Sequence, residues 1–393
     1  MTAVQPMSTA ELVDRARALG PLVAEHSARG DRDRRLPDEV VSALTDAGLF
    51  DLSVPRALGG PELPVRGVIE VAAAVAESDG AAGWVTAIYN SCAWMAALFP
   101  DRAREEVFGG TGGRRVSGVV AGTAETAPVD GGYRVSGRWP YNSGSWHADW
   151  AVLGVPVTGD DGTVLDQALA LVPTAACRVE DTWDVAGMRG TGSNTLVVDD
   201  VVVPLHRMFS VTGALRDDHV DGPGSPYRSA FLPYVSVVLT GPLLGLGRAA
   251  LSLVTAKAHD KAIAYTTYER QADSVAFQLA VAQAATELDT AELHALRAAD
   301  DVDAAAQRSE PLSPLVRARV RADISRCVEC VLSAVDGLVS AHGAGSFATP
   351  NRLQRIWRDT GTAARHAVLA PALGYELYGK ALLDVPNTTS PFV

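Results

Sequence analysis

The sequence contains few groups that would cross-link the chain or ligate a metal. Only four of its 393 residues are cysteine, too few for a disulfide framework in a chain of this length, and a reducing compartment fits that number. Cys327 and Cys330 form a CxxC pair, but it lies in helical sequence without a second pair of ligands. We therefore predict neither a disulfide framework nor a metal site.

The chain also lacks a basic surface stripe, a secretory signal and an uninterrupted apolar span. Its net charge is -12, and its arginines are scattered among acids, which argues against a nucleic-acid partner. Glu11 and Asp14 lie in an N-terminal helical pattern that does not match a signal peptide. The longest uncharged run, between residues 228 and 248, contains Pro233 and Pro242 and predicts a buried helix. We expect a cytoplasmic protein that binds neither nucleic acid nor membrane.

Hydrophobic periodicity divides the chain into three parts. Residues 8–112 have helical spacing, and residues 115–208 have a period of two with intervening turns, which predicts an antiparallel sheet. The glycine-rich 109–113 lacks the lysine and the preceding strand of a phosphate loop and is interpreted as a linker. Further helices are predicted at 229–258, 262–298, 313–342 and 350–382. The predicted domains are 1–113 (helical), 114–215 (β) and 216–393 (helical bundle).

The segment GRWPYNSGSWHADW, residues 137–150, combines aromatic side chains with small hydroxyl and amide groups between two predicted strands. Such a combination suits the binding of a flat, partly polar heterocycle. The same composition also fits a hairpin whose aromatic rings fill a sheet core. Composition alone leaves both interpretations open.

Six motifs, in order from residue 54 to residue 359, resemble motifs of the acyl-CoA dehydrogenase superfamily. They are VPRALGG, VAGTAETAPVDGGYRVSGRWPYNSG, WDVAGMRGTGSNTLVVDDVVVP, YTTYERQ, AHGAGS and RIWRD. The resemblance implies an α+β fold with an N-terminal helical domain, a central antiparallel β-domain and a C-terminal four-helix bundle. It also implies a homotetramer whose subunits share flavin-binding residues.

The chain lacks the carboxylate with which acyl-CoA dehydrogenases remove a proton next to the thioester carbonyl. In one branch the glutamate follows an Arg-Asp pair by about two helical turns. Here Arg358 and Asp359 are followed by His366 and no acid. In the other branch it lies on the first bundle helix, at a position near Val235 or Ser236. Acyl-thioester dehydrogenation is therefore disfavoured.

A histidine after RIWRD, together with SGRWPYNSGSWHADW, resembles the reduced-flavin-dependent, two-component monooxygenases built on this fold. That group includes the oxygenase component of p-hydroxyphenylacetate hydroxylase, dibenzothiophene monooxygenase and the amino-sugar nitrososynthases. The resemblance implies a separate reductase that supplies FADH2 or FMNH2, which reacts with O2 to form a C4a-hydroperoxyflavin. A small aromatic or biosynthetic molecule is the implied substrate.

The resemblance also implies roles for individual residues. His366 is the candidate general base or hydrogen-bond partner of the peroxide, and Ser143, with Ser145 behind it, is the candidate for flavin N5. Arg270 resembles an arginine that reaches the flavin phosphate of a neighbouring subunit. The other candidate flavin contacts are Trp139, Asn142, Arg189, Thr191, Ser193, Gln278, Gly343, Gly345 and Ser346. The candidate substrate-pocket residues are Trp84, Cys92 and Trp146.

Several alternatives stay open. Aromatic hydroxylases of this group tend to carry a second histidine near the position of Cys92, and its absence leaves room for an indole or polyketide aromatic, a sulfur compound or an amine as substrate. An acyl-CoA dehydrogenase with Glu376 or Asp359 as a displaced base, an amino-sugar N-oxygenase and a flavin-free scaffold are the other candidates. Trp146 and His147 are expected in an exposed loop.

Overall fold

A computed structural model describes residues 7–110, 114–121, 123–219 and 224–390. The N-terminal helices are α1 (Thr9–Ala18), α2 (Gly20–Asp33), α3 (Asp38–Asp46), α4 (Val65–Ala76), α5 (Gly80–Ala97) and α6 (Asp101–Phe108). Ser8 and Glu11 form a capping box at α1, and Asp79 accepts a hydrogen bond from Ala82 N at the start of α5. α4 and α5 are buried on nearly all sides, as their alanine-rich sequences predict.

Among the described residues, eight strands follow and form two four-stranded sheets, with the orders β1-β4-β5-β8 and β2-β3-β7-β6. They are β1 (Val116–Val119), β2 (Thr123–Val129), β3 (Gly132–Asn142), β4 (Trp150–Thr158), β5 (Val164–Pro173), β6 (Cys177–Glu180), β7 (Asn194–Pro204) and β8 (Met208–Ser210). Five of the six strand pairs are antiparallel, whereas β1 and β4 are parallel. The prediction of a wholly antiparallel sheet is wrong at that pair, because a strand's apolar pattern does not encode its direction.

The C-terminal part is helical. Its helices are α7 (Val211–Leu215), α8 (Phe231–Val237), α9 (Thr240–Lys257), α10 (Val275–Arg308), α11 (Pro314–His342), α12 (Arg352–Ala363) and α13 (Pro371–Leu382). α11 agrees with the predicted 313–342, and Ser313 caps it ahead of Pro314. The α+β fold class predicted from the sequence is confirmed by this arrangement.

Three predicted helix boundaries need correction. The helix predicted at 262–298 begins only at Val275, because the Ser274 hydroxyl accepts a hydrogen bond from Phe277 N and caps it there. The helix predicted at 350–382 is split, since the chain turns at His366 before α13 begins. The helix predicted at 229–258 is divided into α8 and α9.

The apolar run near residue 240 belongs to the core. The stretch Phe231–Lys257 is long and apolar enough to cross a membrane, but 78% of its most apolar window is buried inside the protein, where α9 packs against α4 and α5. The interpretation of this run as a buried helix is therefore confirmed. The predicted linker lies partly outside the described residues, at 111–113, and the domain limits stay predictions.

Candidate active site

A series of hydrogen-bonded side chains connects α5, the loop after β3 and the start of β7. Trp84 Nε1 donates to Ser143 Oγ at 3.2 Å, and Ser143 Oγ lies 2.8 Å from Ser193 Oγ. Ser193 Oγ lies 2.7 Å from Thr191 Oγ1, which donates to the carbonyl oxygen of Met188 at 2.8 Å. All four side chains of this relay are buried. The structure thus brings together four residues that the sequence had nominated separately.

The two ends of the relay decide the direction of its protons. The indole N–H of Trp84 can only donate, and the carbonyl of Met188 can only accept, so the hydroxyls between them donate in order towards Met188. Ser143 therefore accepts from Trp84 and gives its own proton to Ser193. One lone pair of the Ser143 oxygen stays available, so this hydroxyl offers a ligand an acceptor and not a donor.

The loop that carries Ser143 is fixed against α5. Tyr89 donates its hydroxyl proton to the carbonyl of Gly144 at 2.6 Å. Gly144 has a φ of +75°, and a Cβ there would lie 2.7 Å from the Tyr89 hydroxyl, so both conformation and space require glycine. The Ser145 hydroxyl donates to Gly192 O at 3.2 Å, away from the relay. Ser143 is therefore the serine with an available lone pair in the relay.

His366 lies beside the relay at the turn between α12 and α13. Its ring centroid is 5.7 Å from that of Trp84, and the residue as a whole is partly exposed. Burial among the surrounding groups, and then the positive charge of Arg321, lower the pKa of His366 to about 4, so the imidazole is neutral at pH 7. Val368 N donates to Nδ1 at 3.4 Å, which assigns the ring proton to Nε2. His366 thus presents an N–H donor beside Trp84.

The two other nominated residues of β3 have different environments. Trp139 is fully buried in the core between the sheets, where Nε1 donates to Gly154 O at 2.9 Å. Trp139 was expected to flank a flavin through its backbone or its side chain. The side-chain contact is wrong, because this side chain faces the sheet core, and contact through the backbone stays a prediction. Asn142 is also fully buried, and neither its Oδ1 nor its Nδ2 has a partner among the described residues. Such an unpaired amide fits a polar ligand group nearby.

The GMRG turn packs tightly on α12. Met188 N donates to Asp359 Oδ1 at 2.5 Å, and a Cβ on Gly187 would lie 2.2 Å from the carbonyl oxygen of Arg358. Burial raises the pKa of Asp359 to about 7, while the hydrogen bond from Met188 lowers it. Arg189 donates to Asp31 O, Val185 O and Asp184 Oδ1. Its side chain therefore stabilises this turn, and the nomination of Arg189 as a flavin contact gains no support.

A second cluster surrounds the glycine turn after α11. Lys261 donates to the carbonyl of His342, and the Gln271 side chain donates to Ala341 O at 3.2 Å. The backbone N–H groups of Ala344 and Gly345 have no acceptor within the described chain. Ser346 is fully buried and donates to Val339 O or Gly343 O, so its hydroxyl stabilises the turn. The free N–H groups and the nearby ammonium suit an anion.

A cavity of about 500 Å³ lies next to this turn. Lys257, Lys261, His342 and Arg352 line it, together with Asp260, Asn351 and apolar residues of α9 and of the segment that leads into α12. Burial lowers the pKa of Lys261, and burial followed by the charges of Lys261 and Lys257 lowers the pKa of His342. The basic side chains in the lining outnumber its single carboxylate, which suits a phosphate-bearing ligand.

Arg270 and Gln278 border this cluster. Arg270 lies in the loop before α10 and not on that helix, and it pairs with Asp273 at 2.7 Å on the surface. Gln278, in the first turn of α10, donates to Ala272 O at 2.9 Å. The prediction that both lie on one helix is wrong, because the loop is held by Gln271 N, which donates to Lys261 O at 2.6 Å.

Comparison with known proteins decides the family. Residues 237–371 match the family model "Acyl-CoA dehydrogenase, C-terminal domain". The flavin-dependent monooxygenase oxygenase subunit HsaA of Mycobacterium tuberculosis is 31% identical over 98% of each chain. The solved structure of XiaF from Streptomyces sp., in complex with FADH2 and glycerol, is 38% identical with a TM-score of 0.94 and covers 98% of each chain. The chain belongs to the acyl-CoA dehydrogenase-like flavin-dependent monooxygenases. The FADH2-dependent resorcinol hydroxylase oxygenase component of Rhizobium sp. is 30% identical, over 93% of this chain and 92% of that one.

Within this flavin-dependent monooxygenase, neither displaced-base candidate is hydrogen-bonded to Trp84, Ser143 or His366 among the described residues. Asp359 accepts from Met188 N, and Glu376 is an exposed residue that accepts from Lys380 and Thr389. The monooxygenase therefore has an imidazole, and neither of those two carboxylates, beside Trp84.

The three remaining nominated residues lie around the site at different depths. Cys92 is buried, and a Cβ added to Gly118 would lie 2.9 Å from its Sγ. Trp146 is 43% exposed and lies over Gly192, as expected for an exposed loop. Contact of Cys92 or Trp146 with a substrate stays a prediction. His147 is not exposed as expected, because its Nε2 bonds to Leu36 O at 2.9 Å and its side chain is 13% exposed.

Sequence reasoning missed four cationic residues of this monooxygenase. Lys257, Lys261 and Arg352 line the cavity next to the glycine turn after α11, and Arg321 donates to the His366 turn at Val368 O. Lys257 and Lys261 are close in sequence, but Arg352 lies in a distant part of the chain, and none of the three belongs to a recognised motif. Arg321 is one of several arginines spaced two residues apart on α11, so its burial has no signal in the sequence.

Proposed function

We propose that this protein is the oxygenase component of a two-component monooxygenase, which takes reduced flavin from a separate cytoplasmic reductase and oxygenates a small aromatic or biosynthetic molecule with O2. The observation that best supports this proposal is the available lone pair of Ser143 beside the neutral imidazole of His366. Reduced flavin, when bound, activates O2 and supplies it to the substrate.

Ser143 would accept a hydrogen bond from N5–H of the reduced flavin. Trp84 and Ser193 would orient that hydroxyl, and the buried amide of Asn142 would meet a polar edge of the ring system. Ser143 would thereby keep the proton on N5, because an acceptor at that place favours the protonated nitrogen. Trp84 and the other buried side chains of the relay would also exclude water from the flavin ring.

The cationic cavity would hold the phosphate end of the flavin. Lys261, the free N–H groups at Gly345 and the surface Arg270 are the groups that would bind it. A pyrophosphate and adenosine need more positive charge and more room than a single phosphate, so the cavity of about 500 Å³ favours FADH2 over FMNH2.

Self-association into a homotetramer is part of the proposal. Several large apolar side chains of the C-terminal helices and the loop before α10 are exposed: Tyr265, Leu279, Leu293, Leu315 and Leu382. Burial of such side chains between copies of the chain would stabilise an oligomer and bring Arg270 to a neighbouring subunit.

His366 would act as a hydrogen-bond donor through Nε2. The contact from Val368 N occupies Nδ1, and the depressed pKa keeps a second proton off the ring. A donor at this place would orient the substrate's oxygen or the reacting oxygen without changing its own charge.

The test is to mix the protein with chemically reduced FAD under anaerobic conditions and then with O2, and to follow flavin absorbance and H2O2 release. We expect binding of reduced FAD, slower reoxidation than that of free flavin, and an oxygenated product from a panel of phenols and indoles. Reoxidation at the rate of free flavin without product would refute the proposal. Reduction of tightly bound FAD by an acyl-CoA would identify a dehydrogenase instead.

A further inference from the structure

Arg321 is a buried arginine of α11 without a counter-charge. It is 6% exposed, and its Nη1 donates to Val368 O and, at 3.4 Å, to Ser236 Oγ. Nε is buried without an acceptor, and Nη2 makes no hydrogen bond within the described residues. No carboxylate of the described chain lies within ion-pair distance of this guanidinium, and burial alone lowers the pKa of Arg321.

The neighbouring arginines of the same helix are paired in the usual way. Arg317 forms an ion pair with Asp217, and Arg319 pairs with Asp301 at 2.7 Å. A buried cation without such a partner is destabilising, because it loses hydration without gaining an opposite charge. Arg321 therefore retains the capacity to bind an anion that the protein itself does not supply.

The position of Arg321 connects it to the active site. The turn that accepts its Nη1 proton at Val368 O also provides Val368 N, which donates to His366 Nδ1. The charge of Arg321 acts on the His366 imidazole, whose ring faces Trp84 of the relay. The guanidinium thus lies close to His366, which contacts Trp84, and Trp84 in turn donates to Ser143.

We propose that Arg321, oriented by Ser236, is an anion-binding subsite of the substrate cleft, and that the substrate carries an anionic oxygen there. This inference rests on the proposed monooxygenase function. The free Nε and Nη2 edge of a guanidinium matches two oxygens of a carboxylate, and a single phenolate oxygen would satisfy it in part. The substrate class is therefore an aromatic acid or an ionised phenol.

The anionic oxygen could belong to a phenolate or to a carboxylate, and the two differ in whether binding changes the protonation of the ligand. Arg321 would lower the pKa of a phenol beside it, so that the phenol binds as its anion without a protein base. This agrees with His366, which holds its proton on Nε2 and is already bonded at Nδ1. A carboxylate is ionised in water at neutral pH and needs only the ion pair.

The experiment measures probe binding to the protein loaded with reduced FAD under anaerobic conditions. Benzoate and its neutral counterpart benzamide are titrated by calorimetry, and 4-nitrophenol is titrated by the visible absorbance of its anion across pH. We expect the protein to bind benzoate about tenfold or more tightly than benzamide, or to lower the pKa of bound 4-nitrophenol, because a charge-assisted pair contributes on this scale. A preference for benzoate alone identifies a carboxylate, and a shifted 4-nitrophenol titration alone identifies a phenolate.

Variants then assign the preference to Arg321. Arg321→Met should abolish it, Arg321→Lys should retain part of it, and Ser236→Ala should weaken it by a smaller factor. Arg319→Met on the same helix is the matched control and should leave it unchanged. Equal or absent binding of charged and neutral probes by the parent protein overturns the proposal, as does an anion preference that survives Arg321→Met.

The measurement separates this inference from the proposed function. Binding of reduced FAD and its slowed reoxidation are measured on the same samples. If both are present and no anion preference exists, only the Arg321 subsite is refuted. If reduced FAD does not bind, the proposed function itself fails.

Discussion

Replacing Ser193 with alanine should change which redox state of the flavin the protein prefers. In the parent protein the Ser143 proton is given to Ser193, so Ser143 offers only a lone pair. Reduced flavin carries a proton on N5 and matches that lone pair, whereas oxidised flavin has only an acceptor there. Without the Ser193 hydroxyl, the Ser143 proton is free to turn towards oxidised N5.

The magnitude follows from the count of hydrogen bonds. One hydrogen bond contributes about 1 kcal/mol net, and Ser193→Ala weakens one to reduced flavin while allowing one to oxidised flavin. The two effects together amount to about 2 kcal/mol, or roughly a 30-fold loss of preference for reduced flavin. Because the reduced form loses this stabilisation, the midpoint potential of the bound flavin should be about 40 mV lower in Ser193→Ala than in the parent, for a two-electron couple.

The assay compares the Kd values of oxidised and reduced FAD for the parent and for Ser193→Ala. Ser145→Ala is the matched control, because its hydroxyl donates to Gly192 O and does not belong to the relay. We expect the control to keep the ratio of the two Kd values. An unchanged ratio in Ser193→Ala, or an equal change in Ser145→Ala, would show that the relay does not set the polarity of Ser143.

Four further predictions concern α12 and the two turns next to it. His366→Ala should slow product formation about 100-fold without changing the Kd of reduced FAD, and His366→Gln, which keeps a donor, should be less impaired. Because the pKa of His366 is about 4, product formation should show no inflection near pH 6.5 in the parent; such an inflection, absent from His366→Ala, would contradict its neutral state. For Asp359, burial raises the pKa from 3.8 to about 7, so its contribution to stability is present below pH 3.8 and is lost as the pH rises to 7. Asp359→Asn should lack this loss when the free energy of unfolding is measured against pH, and parallel curves would refute it. Gly187→Ala should lower the free energy of unfolding in denaturant by about 2 kcal/mol, because the added methyl group would clash with Arg358 O. A decrease of less than about 0.5 kcal/mol, which is typical of a surface substitution, would contradict this packing.

Local sequence was sufficient for elements with a strong periodic pattern and a capping residue. The apolar spacing of α11, with Ser313 and Pro314 at its start, predicted a helix that the structure contains with the same end at His342. The loop before α10 has no such local determinant. Its conformation depends on hydrogen bonds such as that from Gln271 to Ala341 O, which no pattern within residues 258–274 reveals.

The active site divides in the same way. Ser143 was identifiable from its motif, but its partners Trp84 and Ser193 are 59 and 50 residues away in sequence. Trp139, in the same motif, is fully buried between the sheets. The alternation of side chains along β3 predicts that burial only when the face that packs on the core is already known.

The sequence by itself determined the helix–sheet–helix order of this protein, its resemblance to the flavin monooxygenases and the presence of His366 in the neighbourhood where acyl-CoA dehydrogenases have an acid. These features are local or motif-based, so they are readable from neighbouring residues. Only the tertiary structure decided the proton direction of the relay and the lack of a counter-charge at Arg321. Both depend on which groups meet across distant segments, and hydrogen bonding and charge pairing act through space and not along the chain.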